Sequence, residues 1–488
     1  MMKKLAVTAS VIAGMLAASF SAFAQEAAVS ESADAPVVIT LEDALKIGLS
    51  ENVSVKVADM EIERTGFAKK GTYAALFPQI DASGSFQRTI KKQVMYMDFD
   101  MGALGGAAGG GSSEGGELPD GVEIPDASAD AGASSNGGGF EVGRWNNWSA
   151  GVSASMPLVN AQLWQSLKLS GLDVELAVEK ARSSRLDMVT QVKNAFYSVL
   201  MAKEAFDVYK QVYENAMQNL AETQKKYDAQ KASEMDLIRA KTTVANAVPN
   251  VYNAESSIIL ALWQLKAVLG VDLDMNLDVA GKLADHAEQM MRDINEGEEM
   301  SLDHNSTMKQ LAIQAEMLAQ SIKVQQYANI PSLAVAFNFS LNAMTNDFKF
   351  NQYRWTPYSF VALSLNIPIF AGGKRYQQIR QAKNQYEQVQ LQVTNTERQL
   401  KIAIRQSLAS METNMKSYYA AQDAVAAAQK GYDITEVSYK VGRSTLIELN
   451  DAQLALTQSR LAESQAIFNF LTAKAQLEQT LGQDFIAE

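Results

Sequence analysis

The chain is written twice. Moving the numbering by 212 lays Tyr227 on Tyr439, Leu237 on Leu449 and Ala240 on Ala452. The same shift carries Gln264, Leu265, Leu269, Gly270 and Asp272 onto Gln476, Leu477, Leu481, Gly482 and Asp484. A shift of 211 lays Pro157 on Pro368, and one of 253 lays Asn52 on Asn305 and Pro78 on Pro331. The order helix, strand, strand, long helix, turn, helix therefore occurs once in 41–272 and again in 305–488, joined by residues 273–304. A unit of about 200 residues is too long for a solenoid repeat, so the pattern indicates a duplicated domain rather than an array.

The N-terminus reads as an export signal. Lys3 and Lys4 precede an apolar stretch from Leu5 to Phe20, and Ala22-Phe23-Ala24 is a small-x-small cleavage site. The mature chain is expected to start at Gln25 with a loose, small and polar arm over residues 25–40. The absence of cysteine excludes disulfides, thiolate metal sites and a cysteine nucleophile, so packing and assembly must supply stability. Beyond the signal no run reaches the ~20 apolar residues of a spanning helix, although a membrane β-barrel needs no such run. The net charge of −12, or −14 without Lys3 and Lys4, argues against nucleic acid and anionic surfaces as partners.

Period-two alternation predicts four strands. Ile80, Ala82, Gly84 and Phe86 alternate with Asp81, Ser83, Ser85 and Gln87 over ~79–90, and Trp148 to Met156 alternates with serine and glycine over ~146–157. Leu333, Val335, Phe337, Phe339 and Leu341 mark a strand over ~332–343, and Val361 to Ile367 one over ~355–368. Leu41 to about Phe77 reads as one helix ended by Pro78. Residues 161–231 and 371–441, nearly free of glycine and proline and rich in Ala, Gln, Lys and Glu, predict two helices of about 100 Å each. The turns Ala229–Ser233 and Gly442–Thr445 lead into helices ending near Gly270 and Gly482, and Pro249 should kink the first. Leu454, Leu461 and Phe468, seven apart, predict a narrow coiled-coil seam. The segment ~98–144 is a Gly-rich, acidic loop with no Lys or Arg between Lys92 and Arg144, expected to be external. The acid-rich 273–304 is expected to be a small packed strap.

An exported chain with ten-residue strands flanked by Tyr96, Trp145, Trp148, Phe348, Tyr353, Trp355 and Tyr358 fits a transmembrane barrel with aromatic girdles. Four strands cannot close a barrel, and lipid does not tolerate open sheet edges. Several copies are therefore expected to share one barrel. The long helices need company too: each has a narrow apolar seam and two polar faces, as in the wall of a water-filled tube.

Pro157 and Pro368 at the strand-to-helix junctions, the run Tyr439-Lys-Val-Gly442-Arg-Ser-Thr445-Leu-Ile-Glu448-Leu-Asn-Asp451-Ala-Gln453, and Leu41-Glu-Asp-Ala44-Leu45 with Asn52 resemble the TolC-like outer-membrane efflux factors. The resemblance covers essentially the whole mature chain. It implies an α+β membrane protein: a homotrimer with a twelve-stranded outer-membrane β-barrel joined to a long periplasmic α-helical barrel. The implied function is the exit duct of a tripartite efflux pump, fed by a periplasmic adaptor and an inner-membrane transporter of RND or ABC type. Type I protein secretion is the nearest alternative, and a periplasmic helical adaptor or structural protein the more distant one. By resemblance, Asp236 and Tyr439 match positions that bond to hold a closed periplasmic gate, and Glu448 and Asp451 match its acidic constriction. Two departures stand out: the acidic loop is long for the family, and Ser444 stands where an arginine is common.

The residues allow a plainer reading of the same turns. Ser233 with Asp236, and Thr445 with Glu448, have the spacing of capping boxes, with Gly442 in the second turn. Asp451 is not explained by capping, and its counterpart in the first half is Arg239. Gly111-Ser-Ser-Glu-Gly115 matches a nucleophile elbow only formally, because it lies in low-complexity sequence without a histidine partner. His286 and His304 read as solvated surface rather than metal ligands, and Met95, Met97 and Met101 as barrel-rim packing. No acid, base and nucleophile assemble. No enzyme, cofactor or resident metal is expected.

Overall fold

The computed structural model describes residues 37–95, 140–286 and 301–483. The signal sequence, the loop residues 96–139 with the elbow-like motif, Met97 and Met101, and residues 287–300 of the link lie outside the described residues. Two compact units divide the chain, one from Met1–Val57, Arg182–Asn305 and Arg398–Glu488, the other from Ala58–Ala181 and Ser306–Glu397. In chain order the elements are β1 (Val37–Ile39), α1 (Leu41–Glu51), α2 (Val53–Ala74), β2 (Gln79–Arg88), β3 (Gln93–Met95), β4 (Phe140–Val142), β5 (Asn146–Val159) and α3 (Ala161–Asp228). There follow α4 (Glu234–Leu269), β6 (Leu277–Val279), a 3-10 turn (Leu283–His286), α5 (Ser306–Tyr327), β7 (Ser332–Thr345), β8 (Thr356–Asn366), α6 (Lys374–Lys440) and α7 (Leu446–Leu481).

Within the second unit the four long strands form one sheet in the order β2-β5-β7-β8, every pair antiparallel. Register turns the alternation of each strand into two continuous faces. Ile80, Ala154, Phe337 and Val361 make one row of the apolar face, and Ala82, Val152, Phe339 and Ser359 the next. The opposite face has rows such as Ser83, Gly151, Ser340 and Tyr358, with Ser85 and Ser149 hydrogen-bonded through their hydroxyls at 2.7 Å. The apolar face is not a core: Ile80 is 70%, Val361 72% and Leu363 67% exposed. β2 and β8 each have a neighbour on one side only, so both edges keep unpaired backbone groups. Beyond the predicted strand ends, β3 and β4 pair as a short ladder that continues from the β2–β5 hairpin.

The first unit is built around Phe196, Leu200, Met188, Leu265, Leu269 and Phe470, all fully buried. The end of the expected loose arm is β1, which pairs in parallel with β6 of the link. The strap is pinned to α3: Lys203 donates to the Val279 carbonyl at 2.8 Å, and Glu204 accepts from the Leu283 N–H at 2.9 Å. His286 is partly exposed, and its ring packs edge-on against Tyr197 at 5.6 Å. Pro249 lies inside a helix assigned without interruption from Glu234 to Leu269. On α7 the buried residues include Leu446, Leu449, Leu456, Ile467, Phe470 and Leu471, while Leu454 of the expected seam is exposed.

The helix predicted over 41–77 breaks at Asn52, which leaves helical geometry at ψ 127°. Its side chain accounts for the break: Oδ1 accepts the Ser54 N–H at 2.8 Å, and Nδ2 donates to the Val268 carbonyl at 2.6 Å. Asn305 donates likewise to the Thr480 carbonyl at 2.6 Å. These asparagines are 253 apart and their acceptors 212 apart, the two shifts found in the sequence. Gly270 and Gly482 follow the acceptors in left-handed conformation, φ 77° and 72°, and cap their helices.

Candidate functional site

The site is built from two helix-turn-helix corners in the first unit, α3 to α4 and α6 to α7. Each long helix ends by reversing the backbone hand at one residue. Gly442, at φ 79°, lets the Arg443 N–H reach back to the Ser438 carbonyl at 2.8 Å. The other corner makes the same bond, Lys231 N–H to the Lys226 carbonyl at 2.7 Å, but through Gln230 at φ 59°. Gln230 is the sole non-glycine with positive φ among the described residues. It lies 212 before Gly442.

Each following helix opens with a reciprocal cap. The Asp236 N–H donates to Ser233 Oγ at 3.1 Å, and the Asp236 carboxylate accepts from the Ser233 N–H at 3.3 Å and its hydroxyl at 2.7 Å. The Glu448 N–H donates to Thr445 Oγ1 at 3.3 Å, and its carboxylate accepts the Thr445 N–H at 2.8 Å. That backbone bond, with help from the Thr445 and Ser444 hydroxyls, holds the Glu448 carboxyl below the usual glutamate range. Glu448 thus stays ionised while facing solvent.

Tyr439, the penultimate residue of α6, is buried, and its hydroxyl lies 2.6 Å from that of Thr223, which is wholly buried. The Thr223 hydroxyl donates its one proton to the Asn219 carbonyl at 2.7 Å, so the Tyr439 O–H must be the donor to Thr223. Lys226 closes the knot: its ammonium stands 4.1 Å over the Tyr439 ring and donates to the Tyr439 carbonyl at 2.7 Å. Tyr439 and Asp236 are therefore not bonded to each other in this chain. Asp236 serves the cap, and Tyr439 ties α6 to α3. Asp451 and Arg239 are both exposed on the helices beyond the corners, and neither side chain has a hydrogen bond or ion pair among the described residues. Their neighbourhood is tied by Asn450, which donates to Thr243 Oγ1 at 3.2 Å.

Sequence reading missed Thr223, Lys226 and Gln230. The shift of 212 could have found Gln230, since it lays a glutamine on the turn glycine Gly442. Nothing local marks Thr223, whose role exists only because another helix brings a phenol to it.

Corners of this design, long paired helices and a four-stranded sheet with an exposed apolar face recur in known proteins. The family model described as outer membrane efflux protein matches residues 125–271 and 299–483. The chain belongs to that family. The outer membrane protein TolC of Escherichia coli (strain K12) is 20% identical over 356 residues, covering 70% of this chain and 71% of that protein. The proteases secretion protein PrtF of Dickeya chrysanthemi is 22% identical over 349 residues, covering 69% and 73%. In fold, the CmeC outer membrane channel of Campylobacter jejuni superposes with a TM-score of 0.66 at 16% identity, covering 93% of this chain and 90% of that one. As a member of the outer membrane efflux protein family, the chain is an efflux channel of the outer membrane.

Proposed function

We propose that the chain acts as a homotrimer, the passive exit duct of a tripartite pump. The observation that carries this reading is a sheet with an exposed apolar face and two unpaired edges. An open edge in lipid leaves backbone groups unsatisfied, and closing it needs other copies of the same sheet. Three copies give twelve strands around a lumen; two would give eight, a barrel filled by its own side chains. The long helices α3, α4, α6 and α7 then form the periplasmic wall, which receives cargo through an adaptor from an inner-membrane RND or ABC transporter. The outer membrane's lipid is the remaining partner, with no role for nucleic acid, catalysis or a cofactor. Mass measurement of the detergent-solubilised protein tests the assembly. A stable monomer or dimer refutes it.

In this reading the two corners rim the periplasmic mouth, and threefold symmetry brings three copies each of Glu448 and Asp451 around one opening. Six carboxylates in a narrow constriction focus a negative potential that favours cations. Glu448→Gln with Asp451→Asn should abolish cation selectivity and block by multivalent cations in single-channel recordings. Unchanged selectivity leaves Glu448 a helix cap only. Small molecules are the proposed cargo, with protein export the alternative that the similarity to PrtF keeps in view. Loss of the gene distinguishes them: sensitivity to toxic small compounds supports the first, loss of a secreted protein the second.

A further inference from the structure

The net charge argues against anionic surfaces as partners of the chain as a whole, but among the described residues the two ends of the sheet differ in charge, and cations gather at one of them. Where β2 and β7 begin and β5 and β8 end, segments 75–79, 157–163, 328–332 and 366–373 contain no charged residue. At the other end the described residues include Arg88, Lys91, Lys92, Arg144, Lys349 and Arg354 against the acids Glu141 and Asp347. Two of the cations are mounted on aromatic rings. The Arg88 guanidinium is 5.6 Å from the Phe348 ring centre, and the Lys92 ammonium 4.9 Å from that of Trp145. Arg144 donates to the Met344 carbonyl at 3.0 Å, holding the β4–β5 connection to the end of β7. The rings themselves form a contiguous cluster, Phe86 tilted on Trp148 at 4.2 Å and Trp148 edge-on to Phe350 at 4.6 Å.

Register supplies the second half of the argument. Arg88 pairs with Asn146, two positions beyond the pair Phe86–Trp148. Arg88 therefore lies on the same face as Phe86 and Ile80, the exposed apolar one. Along that face the order is apolar with aliphatic and phenyl side chains mixed (Ile80, Phe337, Val361), then the Phe86–Trp148 pair, then cationic (Arg88). A lipid leaflet has the matching order: hydrocarbon, interfacial layer, phosphate.

We propose that this end of the sheet binds the phosphate groups of anionic lipid headgroups, with Arg88, Lys92 and Arg354 as its principal cations. The inference rests on the sheet crossing the outer membrane, and it adds selectivity for one headgroup chemistry. The cation-π contacts restrict Arg88 and Lys92, which lowers the entropy lost when they engage a phosphate. Arg354 and Lys91 are exposed and make no hydrogen bond or ion pair among the described residues, so both have donors to give.

Native mass spectrometry of the full chain, extracted from outer membranes in mild detergent, tests this against a bis-phosphorylated glycolipid, zwitterionic phosphatidylethanolamine and inorganic phosphate. The glycolipid should bind at least about tenfold more tightly than phosphatidylethanolamine. Each cation removed should weaken glycolipid binding about fivefold at low salt. Arg88→Gln with Lys92→Gln and Arg354→Gln should therefore erase the preference. Arg88→Lys with Lys92→Arg and Arg354→Lys should keep it, as should the remote control Lys416→Gln with Lys430→Gln. If the triple variant does not fold, Lys91→Gln with Arg354→Gln carries the test, because neither side chain has a structural partner among the described residues. Equal glycolipid binding by wild type and neutralised variants overturns the inference. So does displacement of the glycolipid by millimolar inorganic phosphate, which would make this a free-phosphate site. Tighter glycolipid binding after removal of residues 98–139 would make the chain's own acids the occupant, and also overturns it. Failure of the membrane reading looks different, because the wild type would then be missing from the outer-membrane fraction.

Discussion

Four positions share a left-handed backbone but differ in what surrounds them, so substitution there separates conformational strain from steric contact. Gly442 is at φ 79°, and a Cβ added there would have nothing within 4 Å. Gly442→Ala should cost only the left-handed penalty of an L-residue, about 1–2 kcal/mol. At Gly270, φ 77°, the added carbon would stand 2.8 Å from the Glu51 carbonyl oxygen and 3.2 Å from Asn52 Cα. At Gly482, φ 72°, it would meet the His304 carbonyl, 2.7 Å from its carbon, with Asn305 Cα at 3.1 Å. Those neighbours are backbone, held by the asparagine clamps, and cannot swing aside. Overpacking adds about 1–3 kcal/mol to the strain, giving about 2–5 kcal/mol for Gly270→Ala and Gly482→Ala. Gln230 already bears the strain, so Gln230→Gly should stabilise by about 0.5–1 kcal/mol. Hydrogen exchange of the full-length protein in detergent reads this locally. Amides at 302–306 and 478–483 should open faster in Gly482→Ala, those at 438–445 only modestly faster in Gly442→Ala, and those at 226–233 more slowly in Gln230→Gly. Equal effects of Gly442→Ala and Gly482→Ala would refute the steric part of the reasoning. Faster exchange in Gln230→Gly would refute the conformational part.

The direction of the buried bond at Tyr439 predicts an asymmetry: Thr223→Val leaves the Tyr439 O–H without an acceptor and should cost about 1–3 kcal/mol, whereas Tyr439→Phe leaves Thr223 bonded to Asn219 and should cost about 0.5–1.5 kcal/mol. Thermal unfolding of the two variants decides, and a cheaper Thr223→Val would reverse the donor assignment. The Glu463 carboxyl is pushed above its ordinary value of 4.5 by burial, then by Glu204, with Arg460 partly opposing. Above pH 4.5 the folded chain then holds more protons at Glu463 than the unfolded one, so this group makes stability fall as pH rises through its folded pKa. Glu463→Gln should reduce the fall in melting temperature between about pH 5 and pH 7.5, and an identical fall in both proteins would show that Glu463 does not titrate this way.

The parts of the fold that were legible in the sequence are those governed by period. Each alternating run became a strand because one face of small residues and one of aliphatics leaves a strand no other comfortable arrangement. The corners were legible because Ser233, Asp236, Thr445 and Glu448 act within four residues of their capping partners. What sequence missed depends on distant partners. Asn52 breaks its helix with its side chain, Oδ1 capping the next helix at Ser54 and Nδ2 anchored on the Val268 carbonyl, 216 residues away. The arm became β1 because β6 supplies an edge. Tyr439 is bonded to Thr223, which another helix brings to it. The exposed Leu454 shows the limit of a seven-residue spacing: three apolar residues in register mark a seam without saying which surface fills it.

Strand parity has a consequence for assembly. The four strands alternate in direction, so β2 and β8 run opposite ways. When β8 of one copy meets β2 of the next, the seam is antiparallel like every other pair in the wall. This holds for any number of copies, because an even count per chain never leaves two like-directed strands side by side. The sheet thus accepts closure without counting its members. In the proposed assembly the number of subunits would have to be decided by something that does count, and within this chain the long helices, packed side by side around a ring, would be the elements able to do it.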